Sequence, residues 1–325
     1  MTCAWMPGDR IGDSYLVLEP MARGGMAEVY LAADLTTDRA VALKTLPAAL
    51  ASRQDLKLRL AQEAEITRRL DHPNVVKLLD DGVQRGTPYV VFELLSGETL
   101  AELLARRGPL AAEIAVPLAR QAALALDAVH RQGVVHRDVK PDNLFLCGPP
   151  GAARHLKLLD FGLATAPETS PASQPFIIHG TLTYMAPEQA VAEPVDGRAD
   201  IYSLGVVLFR MLTGELPFAD VPAVQLLTHQ LRSPAPPPSW LIEGLDPRLD
   251  RIVTSALRKN PANRYATMAD LITDLQKLGT GEEVDGAPLV HEPDCYRPWT
   301  DDGRQAMTLL ASRRERRPTT TVVAA

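Results

Sequence analysis

Three residue types that seldom share one short loop meet in HRDVKPDN, between His136 and Asn143: a carboxylate at Asp138, an ammonium at Lys140 and an amide at Asn143. A carboxylate can orient a hydroxyl and take its proton, an ammonium can neutralise a moving anion, and an amide oxygen can ligate a hard cation. Phosphoryl transfer requires that combination, whereas a polar turn between two elements requires none of it. Downstream, Asp160 ends the apolar run of LKLLDFGLA, where its carboxylate could hold Mg²⁺ against phosphate oxygens. Upstream, VALK places Lys44 on a strand, and a lysine on a strand's inner surface needs an acidic partner. Glu63, on the helical stretch that follows, is the preferred partner; Glu65, two positions on, points to another side of that helix.

MARGGMAEVY, from Met21 to Tyr30, looks like a phosphate-cradling loop with two of its glycines replaced. Gly24 and Gly25 are adjacent, and alanines stand at 22 and 27, where G-x-G-x-x-G would place glycine. Even an intact motif of this kind is weak evidence when it stands alone. An alanine forced into a left-handed conformation costs about 1–2 kcal/mol, so the expectation is a nucleotide loop that works, more weakly or more slowly.

These residues need elements to position them. From Tyr15 to about Phe92 the chain reads as short strands rich in β-branched and aromatic residues, interrupted by one helical stretch, Leu56–Asp71. After Leu95 the texture turns helical. Ile114, Leu118, Ala122, Ala125 and Val129 form one face of a helix, and Pro117 within it predicts a kink outside the first turn. The run 195–214 reads as a buried helix closed by Gly214, and two amphipathic helices follow the proline-rich stretch Ser233–Trp240. The outline is α+β: a small β-rich lobe, 15–93, and a larger helical lobe, 94–278, with a ligand cleft between them. Periodicity fades after Gly279, so 279–325 reads as a disordered tail.

Composition narrows the classes. A formal charge of −6 over 325 residues speaks against a nucleic-acid binder. Cys3, Cys147 and Cys295 lack C-x-x-C spacing and read as free thiols of a reducing cytoplasm. No run approaches the roughly 18 apolar residues of a membrane span, and the N-terminus lacks the pattern of a signal peptide.

GGMAEVYLA, VALK, LDHPNVVKLLD, HRDVKPDNLF, DFGLA, GTLTYMAPEQA and DIYSLGVVLF together resemble the bacterial Hanks-type serine/threonine protein kinases, in that family's order and over roughly 15–278. The resemblance implies ATP, with Mg²⁺ or Mn²⁺, as cofactors and serine or threonine hydroxyls of proteins as acceptors. Residue by residue, it implies Asp138 as catalytic base, Lys140 on the γ-phosphate, Lys44 on the α- and β-phosphates held by Glu63, and Asn143 and Asp160 on the metal. Met21, Ala22, Arg23, Gly24, Gly25, Met26, Ala27, Glu28 and Val29, with Ala42 and the backbones of Glu93 and Leu95, would hold the nucleotide in front of a gatekeeper, Phe92. His136 and Phe161 would pack, Asp200 would tether the catalytic loop, Arg264 would pair with Glu188, and Thr181 would complete the hydroxyl-binding surface. The A-P-E run with its arginine favours a protein acceptor over a small molecule. A pseudokinase-like module that binds nucleotide or a partner with little turnover is the alternative, motivated by the two alanines. Two further expectations concern modification. A phosphate on Thr169, Ser170 or Ser173 would pair with Arg137, and phosphorylated Thr319, Thr320 or Thr321 would dock a phosphothreonine-reading partner.

Overall fold

The computed structural model describes residues 4–149, 154–162, 164, 182–218 and 223–286. Its N-terminal lobe is one antiparallel sheet in the order β1-β2-β3-β4-β6-β5. The strands are β1 (Arg10–Ile11), β2 (Tyr15–Arg23), β3 (Glu28–Asp34), β4 (Arg39–Thr45), β5 (Leu78–Gln84) and β6 (Thr87–Glu93), with α1 (Gln54–Arg68) lying between β4 and β5 in sequence.

The period of two along each strand sorts side chains into two separate cores. Tyr15, Val17, Tyr30, Ala32, Val41, Leu43, Tyr89 and Val91 share one face with Trp5 and Ile11. Leu46, Val90 and Phe92 share the other with Leu56, Leu60 and Ala64 of α1, and Ala42 packs against them. Lys44, between Leu43 and Thr45 in register opposite Val29 and Val90, lies on this second face, under α1.

The C-terminal lobe starts with β7 (Gly97–Thr99) and α2 (Leu100–Arg107), which Thr99 and Glu102 close with reciprocal capping bonds. Then come α3 (Ala112–Arg131), β8 (Leu144–Cys147), β9 (His155–Leu158), α4 (Pro187–Ala190), α5 (Arg198–Thr213), α6 (Ala223–Arg232), α7 (Pro247–Ala256) and α8 (Met268–Thr280). Strands β7, β8 and β9 form a small second sheet whose middle strand leaves the HRDVKPDN loop directly. Helix α5 is buried on every side from Ala199 to Phe209 and stops at Gly214, which is left-handed at φ 78°. Alanines 115, 119, 122, 123 and 125 of α3 are fully buried, and their small side chains let the helix pack closely against α5 and α8.

Several expectations change. Helix α3 runs without a break through Pro117, and Ile114 is exposed, its place on the buried face taken by Ala115. The fold also passes both expected boundaries. Trp5 and Ile11 belong to the N-terminal core, and the chain beyond α8 stays packed to Gly286, with Val284 2% exposed. Hydrophobic period could not show this last segment, because Asp274 holds it by accepting from the backbone N–H groups of Asp285 and Gly286. No helix among the described residues is long and apolar enough to cross a membrane.

Candidate active site

The residues singled out for chemistry converge between the lobes around a cleft of about 380 Å³, lined by Gly24–Ala27, Lys44, Glu63, Asp138, Lys140 and Asp160. Lys44 Nζ donates to both carboxylate oxygens of Glu63, at 2.7 and 2.9 Å, and to Asp160 Oδ1 at 3.2 Å. Glu65 is exposed and pairs instead with Arg69, one helical turn on. Burial pushes the Glu63 carboxyl up, to about 7, against the opposing pull of Lys44. Burial would also raise Asp160, but the Lys44 charge and the Gly162 N–H override it and hold that carboxyl below its usual range. Asp160 sits at φ 59°, a strained conformation for a non-glycine residue. Gly162 beside it is closely approached: a Cβ there would lie 3.1 Å from Asp160 Oδ1, so a side chain would require that carboxylate to give by a few tenths of an ångström.

Asp138 is held by its own loop. Its Oδ2 accepts from Lys140 Nζ at 2.7 Å and from Asn143 Nδ2 at 3.0 Å, while its backbone oxygen accepts from the same amide at 2.8 Å. Oδ1 is buried and has no partner among the described residues. Asp200, fully buried at the start of α5, ties the loop down by accepting from the N–H groups of His136 and Arg137 at 2.9 and 2.8 Å. Burial alone would raise its pKa, but the hydrogen bond from His130 Nε2, at 2.8 Å, does most to hold it low. His136 donates through Nε2 to Leu159 O and accepts the Asp138 N–H on Nδ1, and its ring meets that of Phe161 edge-on at 5.2 Å. Arg137 is also left-handed, at φ 66°, and its Nε and Nη2 are buried without a partner among the described residues.

The Gly24–Gly25 loop closes when Gly24 N–H donates to Ala27 O at 2.9 Å, with Arg23 paired to Glu28 and Ala22 to Val29 across the hairpin. None of Ala22, Gly24, Gly25 and Ala27 has a positive φ, so the expected backbone strain at the alanines is absent. Met21 and Arg23 lie on the exposed stretch of β2. Glu28 departs furthest from expectation. It occupies the sheet face opposite Lys44, 5% exposed, and bonds Ala4 N–H and Tyr30 Oη instead of facing the cleft. Farther in, Ala42 and Leu95 pack beside Phe92 to form an apolar shelf. The N–H of Glu93 is taken by Lys77 O, and its side chain by Lys77 N–H and Lys157.

A buried two-pronged pair joins Arg264 to Glu188 at 2.7 and 2.8 Å. Sequence reasoning missed two supports. His130, in the last turn of α3, bonds Asp200, and Gln189 donates to Arg137 O at 3.1 Å from within the A-P-E run. Nothing in one sequence marks either residue apart from its closeness to motifs already noted.

The protein kinase domain model matches residues 15–275. The chain belongs to the protein kinase domain family. This kinase domain is 40% identical over 286 residues to the serine/threonine-protein kinase PknB of Mycobacterium tuberculosis, covering 86% of this chain and 45% of that protein. It is 41% identical over 271 residues to the serine/threonine-protein kinase Pkn1 of Myxococcus xanthus, covering 83% of this chain and 38% of that one. The chain thus spans less than half the length of the curated relatives it matches. The crystal structure of the Mycobacterium tuberculosis PknI kinase domain superposes with a TM-score of 0.66 at 28% identity, covering 84% of this chain and 99% of that one.

The family implies ATP and a divalent metal, and the residues fit both. The nitrogen of the Asn143 amide is committed to Asp138, so its oxygen is the atom available for ligation, and Asp160 keeps its carboxyl below the usual range. No cluster of three acidic, histidine or cysteine ligands occurs among the described residues.

Proposed function

We propose that the chain is an ATP-dependent serine/threonine protein kinase that transfers the terminal phosphoryl group to protein hydroxyls and to itself. Bound ATP with Mg²⁺, or Mn²⁺ in its place, supplies the transferable group and the charge that steadies it. The observation that carries the reading is Asp138. One of its oxygens is spent on Lys140 and Asn143, and the other is buried and unspent. An acceptor hydroxyl donating to that second oxygen would be oriented and would find a base for its proton. Lys140, 2.7 Å from the same carboxylate, brings a cation to where negative charge moves. Lys44, fixed by Glu63, meets the phosphates. Asn143 and Asp160 hold the metal, and the backbone carbonyl of Glu93 and the N–H of Leu95 take the adenine edge over Ala42.

The Glu188–Arg264 pair and the VKPDN run favour a protein acceptor of the serine/threonine kind. Intact lysine, base and metal ligands favour turnover over a pseudokinase-like module. The two orphaned nitrogens of Arg137 favour pairing with a phosphate on Thr169, Ser170 or Ser173, residues outside those the structure describes, as is Thr181. Thr319–Thr321, likewise outside them, are the proposed dock for a phosphothreonine-reading partner, and the scattered thiols favour a cytoplasmic setting.

The test is transfer from labelled ATP, with Mg²⁺ or Mn²⁺, to the protein itself and to a generic basic protein. Asp138→Asn is expected to lower transfer by about 10²–10⁴-fold while ATP still binds. Equal labelling by both proteins, or label found only on a small molecule, would overturn the reading.

A further inference from the structure

The nucleotide loop is fastened from the side away from its ligand. Glu28 opens β3 immediately after the loop, and it is buried where a strand would ordinarily place an apolar side chain. A buried carboxylate needs donors. These come from Ala4 N–H, at 2.9 Å, and from the Tyr30 hydroxyl, at 2.5 Å, both to Oε2. The same hydroxyl accepts Trp5 N–H at 3.3 Å, and the Trp5 ring lies 5.5 Å from that of Tyr30 and 6.3 Å from that of Tyr89. The segment that carries Ala4 and Trp5, residues 4–12, is itself tied down. Met6 N–H donates to Asp9, Gly8 N–H to Val17 O, and Gln84 bridges Gly12 N–H and Arg10 O. Ala27, whose carbonyl closes the loop, and Val29 flank Glu28 and, by strand alternation, lie toward the cleft. The outer bond and the inner surface therefore share one short piece of backbone.

We propose that Glu28 and Trp5 are positioning residues for the nucleotide: the clasp between residues 4–5 and the first residues of β3 fixes where the loop rests over the phosphates. This rests on the kinase reading and adds to it a determinant of ATP affinity outside the cleft. The clasp acts on ATP and leaves the acceptor site and the Asp138 loop untouched.

The test uses the full chain and two readouts: equilibrium titration with Mg²⁺–ATP in an Asp138→Asn background, and steady-state KM for ATP and for a protein acceptor. Glu28→Ala, Trp5→Ala and Ala4→Pro, which removes a single N–H, should each raise the Kd and KM for ATP by about three- to tenfold, the range for one net hydrogen bond. The kcat and the acceptor KM should stay within about twofold of the parent. Glu28→Gln keeps an acceptor oxygen and should restore ATP binding, and Trp5→Ala with Glu28→Ala should be no weaker than either alone. An ATP Kd unmoved in Ala4→Pro and Trp5→Ala, with melting temperature lowered, would reduce the clasp to a stabilising contact and sink the proposal; Ala4→Pro decides it if Glu28→Ala does not fold. The two readings fail differently. Without kinase activity no phosphate moves, whatever Glu28 does to ATP binding; without the clasp, transfer proceeds at unchanged ATP affinity.

Discussion

At the scale of single residues, the loop alanines invite a test because sequence and structure weigh them differently. The sequence suggests that Ala22 and Ala27 stand where glycine would supply conformational freedom, at a cost in nucleotide handling. The structure places both in ordinary backbone, inside a hairpin closed by Gly24 N–H and Ala27 O. Without a left-handed φ there is no strain to relieve, and glycine at either position would only loosen the strand. Ala22→Gly and Ala27→Gly are therefore expected to change the KM for ATP by less than about twofold and to lower thermal stability slightly. A gain in ATP affinity above about fivefold, about 1 kcal/mol, would mean that the methyl groups crowd the phosphates.

Among elements, legibility follows the kind of force involved. The strands and α1 were readable because alternation and helical period are local patterns that burial enforces, and HRDVKPDN and DFG because each packs several roles into one run. Less readable were bonds between distant pieces of chain. The strap over Glu28, the partner of Asp200 at the end of α3, and the backbone held by Asp274 each join residues with no shared period. Lys259, just beyond α7, is another such contact. It is boxed against α5, with its Nζ 3.2 Å from Tyr202 Oη, 5.3 Å from that ring's centre and 4.6 Å from the ring of Phe218. Burial, and then the nearby Arg264 charge, pull its pKa from the ordinary 10.5 to about 7. Between those two values the unfolded chain binds a proton that the folded chain does not, so this group makes the fold more stable as pH rises through that window. Urea unfolding from pH 7 to 10 should show Lys259→Met, which retains the packing, with a flatter rise than the parent. Parallel profiles would place the lysine's charge in contact with water.

For the whole molecule, the decisive question is where the domain ends. The family model stops at residue 275 and hydrophobic period at 278, yet the chain stays tied to the lobe as far as Gly286, with Val284 and Gly286 buried. Asp274, buried in α8, accepts from Asp285 N–H, Gly286 N–H and the Tyr265 hydroxyl, each at 2.8 Å. Arg248 reaches Glu282 O, and Arg251 reaches Val284 O and Gly286 O. Cutting after Leu278 exposes Val284, leaves Asp274 without two of its donors and deprives both arginines of acceptors. Burial of a valine is worth about 1.5–3 kcal/mol, and a hydrogen bond to a charged group about 1.5–3 kcal/mol. Part of the bonding is recovered by water, so a net loss of about 3 kcal/mol is a fair expectation, or roughly 6–12 °C in melting temperature for a domain of this size. Cutting after Gly286 removes none of these contacts and should leave the melting temperature where it was. If the two truncations melt together, residues 279–286 contribute no stability and the domain ends at Leu278; if only the shorter one falls, the segment bound to Asp274 is a structural part of the C-terminal lobe.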